Sequence, residues 1–175
     1  MPYNPLIHNR HTIRWQGYDY ASEGAYFLTI CTYQHRQLFG KIENDIMHLN
    51  KFGQLVQIEW EKSAIIRAEI KLGEYIIMPN HLHAIVLINE NNRTGVRPNA
   101  PTVQNTFSGL KPTTLGSLIA GFKSSVTKQI NHLRNTPGKP VWQRNYWEHI
   151  IRDDESYDKI VDYINTNPMN WKMKC

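Results

Sequence analysis

The sequence predicts an α+β chain of ferredoxin-like βαββαβ order: a four-stranded antiparallel sheet backed by helices, with a further C-terminal helix that carries a tyrosine. Three observations lead there. Short runs rich in β-branched and aromatic residues alternate with stretches whose apolar residues recur at helical period. Two of those runs are separated only by turn formers. The chain of 175 residues suits a single domain, 1–175, able to bury a core of its own.

Residues 1–24 form a polar leader whose start, "MPYNPLIHNRHTIRW", is broken by prolines. "AYFLTICTY", Ala25 to Tyr33, reads as a buried strand. Asn50 can cap a helix running to about Ser63, in which Phe52, Leu55, Val56 and Trp60 share a face. "EYIIM" and "HLHAIVLI", joined by Pro79 and Asn80, read as a hairpin. The polar stretch 89–112, with its prolines and glycines, is a loop. From Thr114 to Arg134, the residues Leu115, Leu118, Ile119, Phe122, Val126, Ile130 and Leu133 keep a 3.6 period. "VWQRNYWEHIIR" leads irregularly into a fourth strand, and "DDESYDKIVDYINTNP" is a final helix with acids in its first turn and proline at its end.

Composition narrows the chemistry. Two cysteines, Cys31 and Cys175, make neither a disulfide framework nor a thiol metal site, which fits a reducing cytoplasm. No apolar run approaches the roughly 18–20 residues of a membrane span. The net charge is +5, and no acid occurs from Asn91 to Asn145 while Arg93, Arg97, Lys111, Lys123, Lys128, Arg134, Lys139 and Arg144 do. Such a surface attracts polyanions, nucleic acid first among them; a solvated basic face beside a loop is the ordinary alternative.

The sharpest local feature is "PNHLHAIV". Residues two apart on a strand share a face, so His81 and His83 project together while Leu82 and Ala84 face away. Two neutral imidazoles on a rigid strand can share one divalent ion, although strand histidines also serve as plain hydrogen-bonding groups. A pair is an incomplete metal site, and an oxygen donor from Asn167 or Glu148 would extend it. On the final helix "YINTN" sets Tyr163 and Asn167 four residues apart, on one face. The amide could join the metal site while the phenol faces a phosphate. A phenol is a weak nucleophile until a cation or base assists it. Lys159, one turn earlier, could support the phenolate or contact the phosphate backbone. The structural alternative has Tyr163 packing beside Ile160 and Ile164, and Asn167 ending the helix before Pro168.

Together these blocks resemble the single-tyrosine HUH transposases of the small insertion-sequence (IS200-like) type, and within them the REP-associated tyrosine transposases. "GYDYASEGAYFLTICTYQHRQLFG", "MPNHLHAIV" and "WQRNYWEHIIRDDESYDKIVDYINTNP" carry the resemblance over most of the chain. It implies that His81 and His83 bind Mg²⁺ or Mn²⁺, that Tyr163 is the nucleophile, and that Asn167 stands where many relatives have glutamine. The implied activity is cleavage and strand transfer on single-stranded or hairpin-forming DNA through a 5′-phosphotyrosine. Lys123, Lys128 and Arg144 would track phosphates, and Trp142, Tyr146 and Trp147 could stack on bases or pack in the core. Relatives act as monomers or as homodimers with a shared site. Two rival readings stay open: a non-catalytic nucleic-acid-binding module on the same fold, and a metal hydrolase with Glu148 as its base.

Overall fold

The computed structural model describes residues 23–89 and 114–171. The leader up to residue 22, the loop from residue 90, and with them Arg93, Arg97, Lys111 and Cys175 lie outside the described residues. The elements run β1 (Gly24–Cys31), β2 (Gly40–Glu43), β3 (Ile46–Leu49), α1 (Lys51–Ile66), β4 (Ile70–Met78), β5 (His81–Ile88), α2 (Leu115–Leu133), β6 (Trp147–Ile151) and α3 (Asp154–Thr166). The main sheet has the order β4-β5-β1-β6, antiparallel at each pairing. This is the expected ferredoxin-like α+β arrangement, with β1 and β5 central.

Alternation along the central strands divides the sheet into two faces. On one, Tyr26, Leu28 and Ile30 of β1 and Leu82, Ala84, Val86 and Ile88 of β5 pack with Trp60 and Val56 of α1 and with Leu118, Phe122 and Val126 of α2. Trp60 meets Phe122 edge to face at 5.0 Å, and truncating so large a buried ring costs about 3–5 kcal/mol in comparable cores. On the other face a smaller cluster joins Phe27, Ile85 and Ile151 to Ile164 of α3, with Tyr157, Ile160 and Val161 packed against it. Those α3 positions follow the i, i+3, i+4, i+7 pattern of an amphipathic helix.

The helix starts follow from their capping residues. Asn50 accepts from the backbone N–H groups of Phe52 and Gly53 at the start of α1. Thr114 and Ser117 exchange a capping box on α2, and the Asp153 carboxylate accepts from Ser156 N–H on α3. Asp154 and Glu155 add charge favourable to the α3 dipole.

Two features went unforeseen. A small hairpin, β2–β3, turns through Asn44 and Asp45, both at positive φ (51° and 61°), the conformation that Asn and Asp tolerate in primed turns. The β4 strand begins four residues ahead of "EYIIM" and carries a register shift between Leu72 and Tyr75. Gly73 lies in that shift, where an added Cβ would fall 3.1 Å from Ile85 and 3.1 Å from the Tyr157 hydroxyl. Glycine here lets α3 approach β4 closely.

The segment after β1 pins the β4–β5 turn. Thr32 N–H donates to Asn80 O, the Thr32 hydroxyl bonds the carbonyls of Arg36 and Asn80, and Phe39 N–H donates to Pro79 O. Tyr33 N–H and Gln143 N–H tie the same region to the strand-like lead before β6. Among the described residues, no helix is long and apolar enough to cross a membrane.

Candidate functional site

His81 and His83 project from β5 on the α3 face, and their ring centroids stand 4.4 Å apart. Register explains their company. His83 pairs with Thr29 and His81 with Cys31 on β1, while Thr29 pairs with Trp147 on β6. Directly paired residues share a face.

Each imidazole is held by its Nδ1. At His83 this nitrogen lies 2.9 Å from the Thr29 hydroxyl, and the Leu28 backbone also hydrogen-bonds the ring. At His81 it lies 2.6 Å from Asn80 Oδ1. The Asn80 amide is itself oriented, because its Nδ2 donates to the His35 carbonyl at 3.2 Å, which leaves Oδ1 for the imidazole N–H. The His81 ring therefore carries its proton on Nδ1 and keeps a lone pair on Nε2. On His81 that Nε2 is buried and has no hydrogen-bond partner among the described residues. Burial pushes the His81 pKa down to about 3, with His83 and His35 adding to the shift. Burial pushes His83 down to about 4, against the contrary pull of the Leu28 carbonyl. Both are neutral at physiological pH, the form that ligates metals.

Tyr163 reaches this pair from α3. Its hydroxyl hydrogen-bonds His83 Nε2 at 3.2 Å, and its ring stands 5.2 Å from that imidazole and 6.0 Å from Phe27. Tyr163 is 49 % exposed. Phe27, Thr29, His83, Trp147, His149, Ser156, Lys159 and Tyr163 line a cleft of about 560 Å³ here. Trp147, 47 % exposed, offers an aromatic face at its edge. Lys159 also lines the cleft and forms an exposed ion pair with Glu155 at 2.5 Å, a contact of little energetic weight.

Asn167 caps the end of α3 and is buried. Among the described residues no hydrogen bond joins its side chain to either imidazole. The chain beyond it turns so that Trp171 stands 5.8 Å from His81, which carries this segment past the imidazole pair. Glu148 corrects an expectation. It pairs with Leu28 of β1, whose side chain belongs to the core with α1 and α2. Sheet alternation therefore aims Glu148 at the face opposite the histidines, away from any ion they hold. Among the described residues, no three His, Cys, Asp or Glu side chains group so as to hold a metal. Two neutral imidazoles fit a divalent ion, provided that the Tyr163 hydroxyl gives up His83 Nε2 and that an amide, water or phosphate oxygen completes the shell.

The basic residues lie elsewhere. Lys123, Lys128, His132, Lys139 and Arg144 line a concavity of about 1320 Å³ between α2 and the segment before β6, with no carboxylate among the described residues that line it. Lys123 is not a free surface cation: its ammonium donates to the carbonyls of Gln143, Arg144 and Asn145 at 2.6, 3.2 and 3.3 Å. Burial lowers its pKa to about 8. Lys128 is exposed. Trp142 is core, packed on Phe39 and Phe122, and Tyr146 is partly buried against the same cluster.

Sequence reasoning did not single out Thr29, Asn80, Phe27, His149 or Trp171. Asn80 is adjacent to the histidine motif, a signal available to reading; the others depend on strand register and on where α3 ends.

No family model matches the chain. It is 42% identical over 173 residues to an uncharacterised protein of Haemophilus influenzae, covering 97% of this chain and 94% of that one, and the two belong to one family. It is 25% identical over 126 residues to a REP-associated tyrosine transposase of Escherichia coli, covering 69% of this chain and 61% of that protein. A second such relative, a putative REP-associated tyrosine transposase of Haemophilus influenzae, is 26% identical over 98 residues, 46% of its length. The fold is shared with a REP-associated tyrosine transposase solved bound to a REP hairpin, with a TM-score of 0.54 and 21% identity over 91% of this chain and 74% of that one.

Proposed function

From the premise that the chain is homologous, at low identity and over part of its length, to REP-associated tyrosine transposases, we propose that it is a divalent-metal-dependent endonuclease and strand transferase acting on single-stranded, hairpin-forming DNA. The observation that carries this reading is the Tyr163 hydroxyl 3.2 Å from His83 Nε2, with the Nε2 of His81 on the neighbouring ring unpartnered among the described residues.

Tyr163 is the nucleophile. Its oxygen forms a bond to the scissile phosphorus and the bond from phosphorus to the 3′ oxygen breaks. The phosphate stays on the 5′ oxygen of the downstream strand as a phosphotyrosine, and the departing oxygen of the upstream strand takes up a proton as a 3′ hydroxyl, balancing the one the phenol gives up. Attack by a 3′ hydroxyl on the phosphotyrosine reverses the step and joins strands. His81 and His83, with Asn167 as third donor, would hold Mg²⁺ or Mn²⁺, which supplies charge neutralisation and alignment of the phosphate when bound. Trp147 stacks an unpaired base at the cleft edge, and Lys159 contacts a flanking phosphate. Lys128 and Arg144 meet the phosphate backbone in the basic concavity, while Lys123 acts there by holding the segment that carries Arg144. The chain works as a monomer or a homodimer in the cytoplasm.

A 3′-labelled hairpin oligonucleotide with single-stranded flanks, incubated with Mn²⁺, tests the proposal. The expected result is a protein–DNA adduct that survives denaturation, depends on Mn²⁺ and disappears in Tyr163→Phe. An adduct that persists in that variant removes Tyr163 from the role. Cleavage to a free 5′-phosphate without an adduct favours a metal hydrolase, although Glu148 faces the wrong way to be its base. Binding without cleavage favours a nucleic-acid-binding module.

A further inference from the structure

Resting on the reading of His81 as a metal ligand, we infer that Asn80 is a positioning residue: its amide oxygen fixes the His81 proton on Nδ1 and so keeps the Nε2 lone pair unprotonated. The amide is held at both ends. Oδ1 lies 2.6 Å from His81 Nδ1, and Nδ2 donates to the His35 carbonyl at 3.2 Å. A flipped amide would set Oδ1 against the His35 carbonyl and an N–H donor against the ring, so the orientation is chosen by both partners. The backbone around it is fixed as well, because the Asn80 carbonyl accepts from Thr32 N–H at 2.9 Å and from the Thr32 hydroxyl at 3.0 Å. Thr32 is fully buried.

The need for such a device follows from the difference between the two imidazoles. His83 is held on both sides, by Thr29 at Nδ1 and by Tyr163 at Nε2. His81 has Asn80 at Nδ1 and, among the described residues, no hydrogen-bond partner at its buried Nε2. Without the amide, nothing among its hydrogen bonds would prevent the proton from moving to Nε2 and removing the lone pair. A second residue that orients a ligating imidazole typically contributes about 10- to 100-fold in metal affinity.

The tautomer can be read on the metal-free protein from long-range ¹H–¹⁵N correlations of the His81 ring, and Mn²⁺ uptake from calorimetry. In the wild type His81 is expected to be protonated on Nδ1. Asn80→Ala is expected to populate the Nε2-protonated form and to weaken Mn²⁺ binding by about tenfold or more. Asn80→Asp keeps the acceptor and is expected to retain the tautomer, with Mn²⁺ affinity nearer to wild type than to N80A. An Nε2-protonated His81 in the wild type overturns the inference whatever the variants do. So does an N80A protein whose tautomer and Mn²⁺ affinity are unchanged. A wild-type chain that takes up no Mn²⁺ overturns the metal reading alone, while the tautomer measurement still decides the role of Asn80.

Discussion

A buried neutral imidazole couples the candidate site to acid stability, and the sign is fixed by the direction of the shift. The ordinary imidazole value is 6.5, against about 3 for His81 and about 4 for His83 in the fold. Between pH 6.5 and about 4 the unfolded chain binds protons that the folded chain refuses. The stability contributed by the neutral pair is thus complete above pH 6.5 and declines as the pH falls, by at most about 1.4 kcal/mol per pH unit for each ring. Urea midpoints of the metal-free protein should fall over that window, and His81→Gln with His83→Gln should flatten the dependence. An unchanged slope in the double variant would place the acid sensitivity elsewhere. Reading the motif told that the two rings share a face, because strand alternation is local. It did not tell that Asn80 and Thr29 hold them, since those contacts arise from a turn conformation and a strand register.

Among the elements, α2 and α3 were the most legible, each carrying its apolar stripe in uninterrupted helical period. The β2–β3 hairpin was missed because four-residue strands give little alternation to read, although "GKIENDIMHL" contains the Asn–Asp pair that its turn uses. Glu148 shows a different limit. Its neighbours Trp147 and His149 must share a face and Glu148 must oppose them, but which face meets the histidines is set by the pairing of Trp147 with Thr29, a non-local fact. Lys123 likewise read as one more surface cation, whereas three carbonyls from the segment before β6 surround its ammonium. Lys123→Met removes their donor, at a cost of about 1–3 kcal/mol if no water replaces it. The expected outcome is a lower melting temperature with faster amide exchange in residues 143–145. Unchanged exchange there would mean that the segment holds itself.

At the scale of the whole molecule, the sheet separates two tasks. The imidazoles and Tyr163 occupy the face covered by α3, while the basic concavity lies on the side of α1 and α2, and β6 is the edge between them. A strand contacting both must pass round that edge, where Trp147 is exposed. The α3 helix rests on a much smaller apolar cluster than α1 and α2 do, so the placement of the phenol depends on few contacts.

One of those contacts is a missing methyl group. Under the first half of α3, Gly73 leaves no slack between Ile85 and the Tyr157 hydroxyl. Tyr157 and Tyr163 ride the same rigid rod about 9 Å apart along its axis, so Gly73→Ala inserts a shim beneath one end of a lever whose other end is the nucleophile. The chain should still fold, yet adduct yield should drop severalfold, and equal yield would show that the rod absorbs the tilt before its tip. The stroke of the proposed chemistry would then be calibrated by a hydrogen atom at the sheet's rim, in a strand that supplies none of the proposed reacting groups.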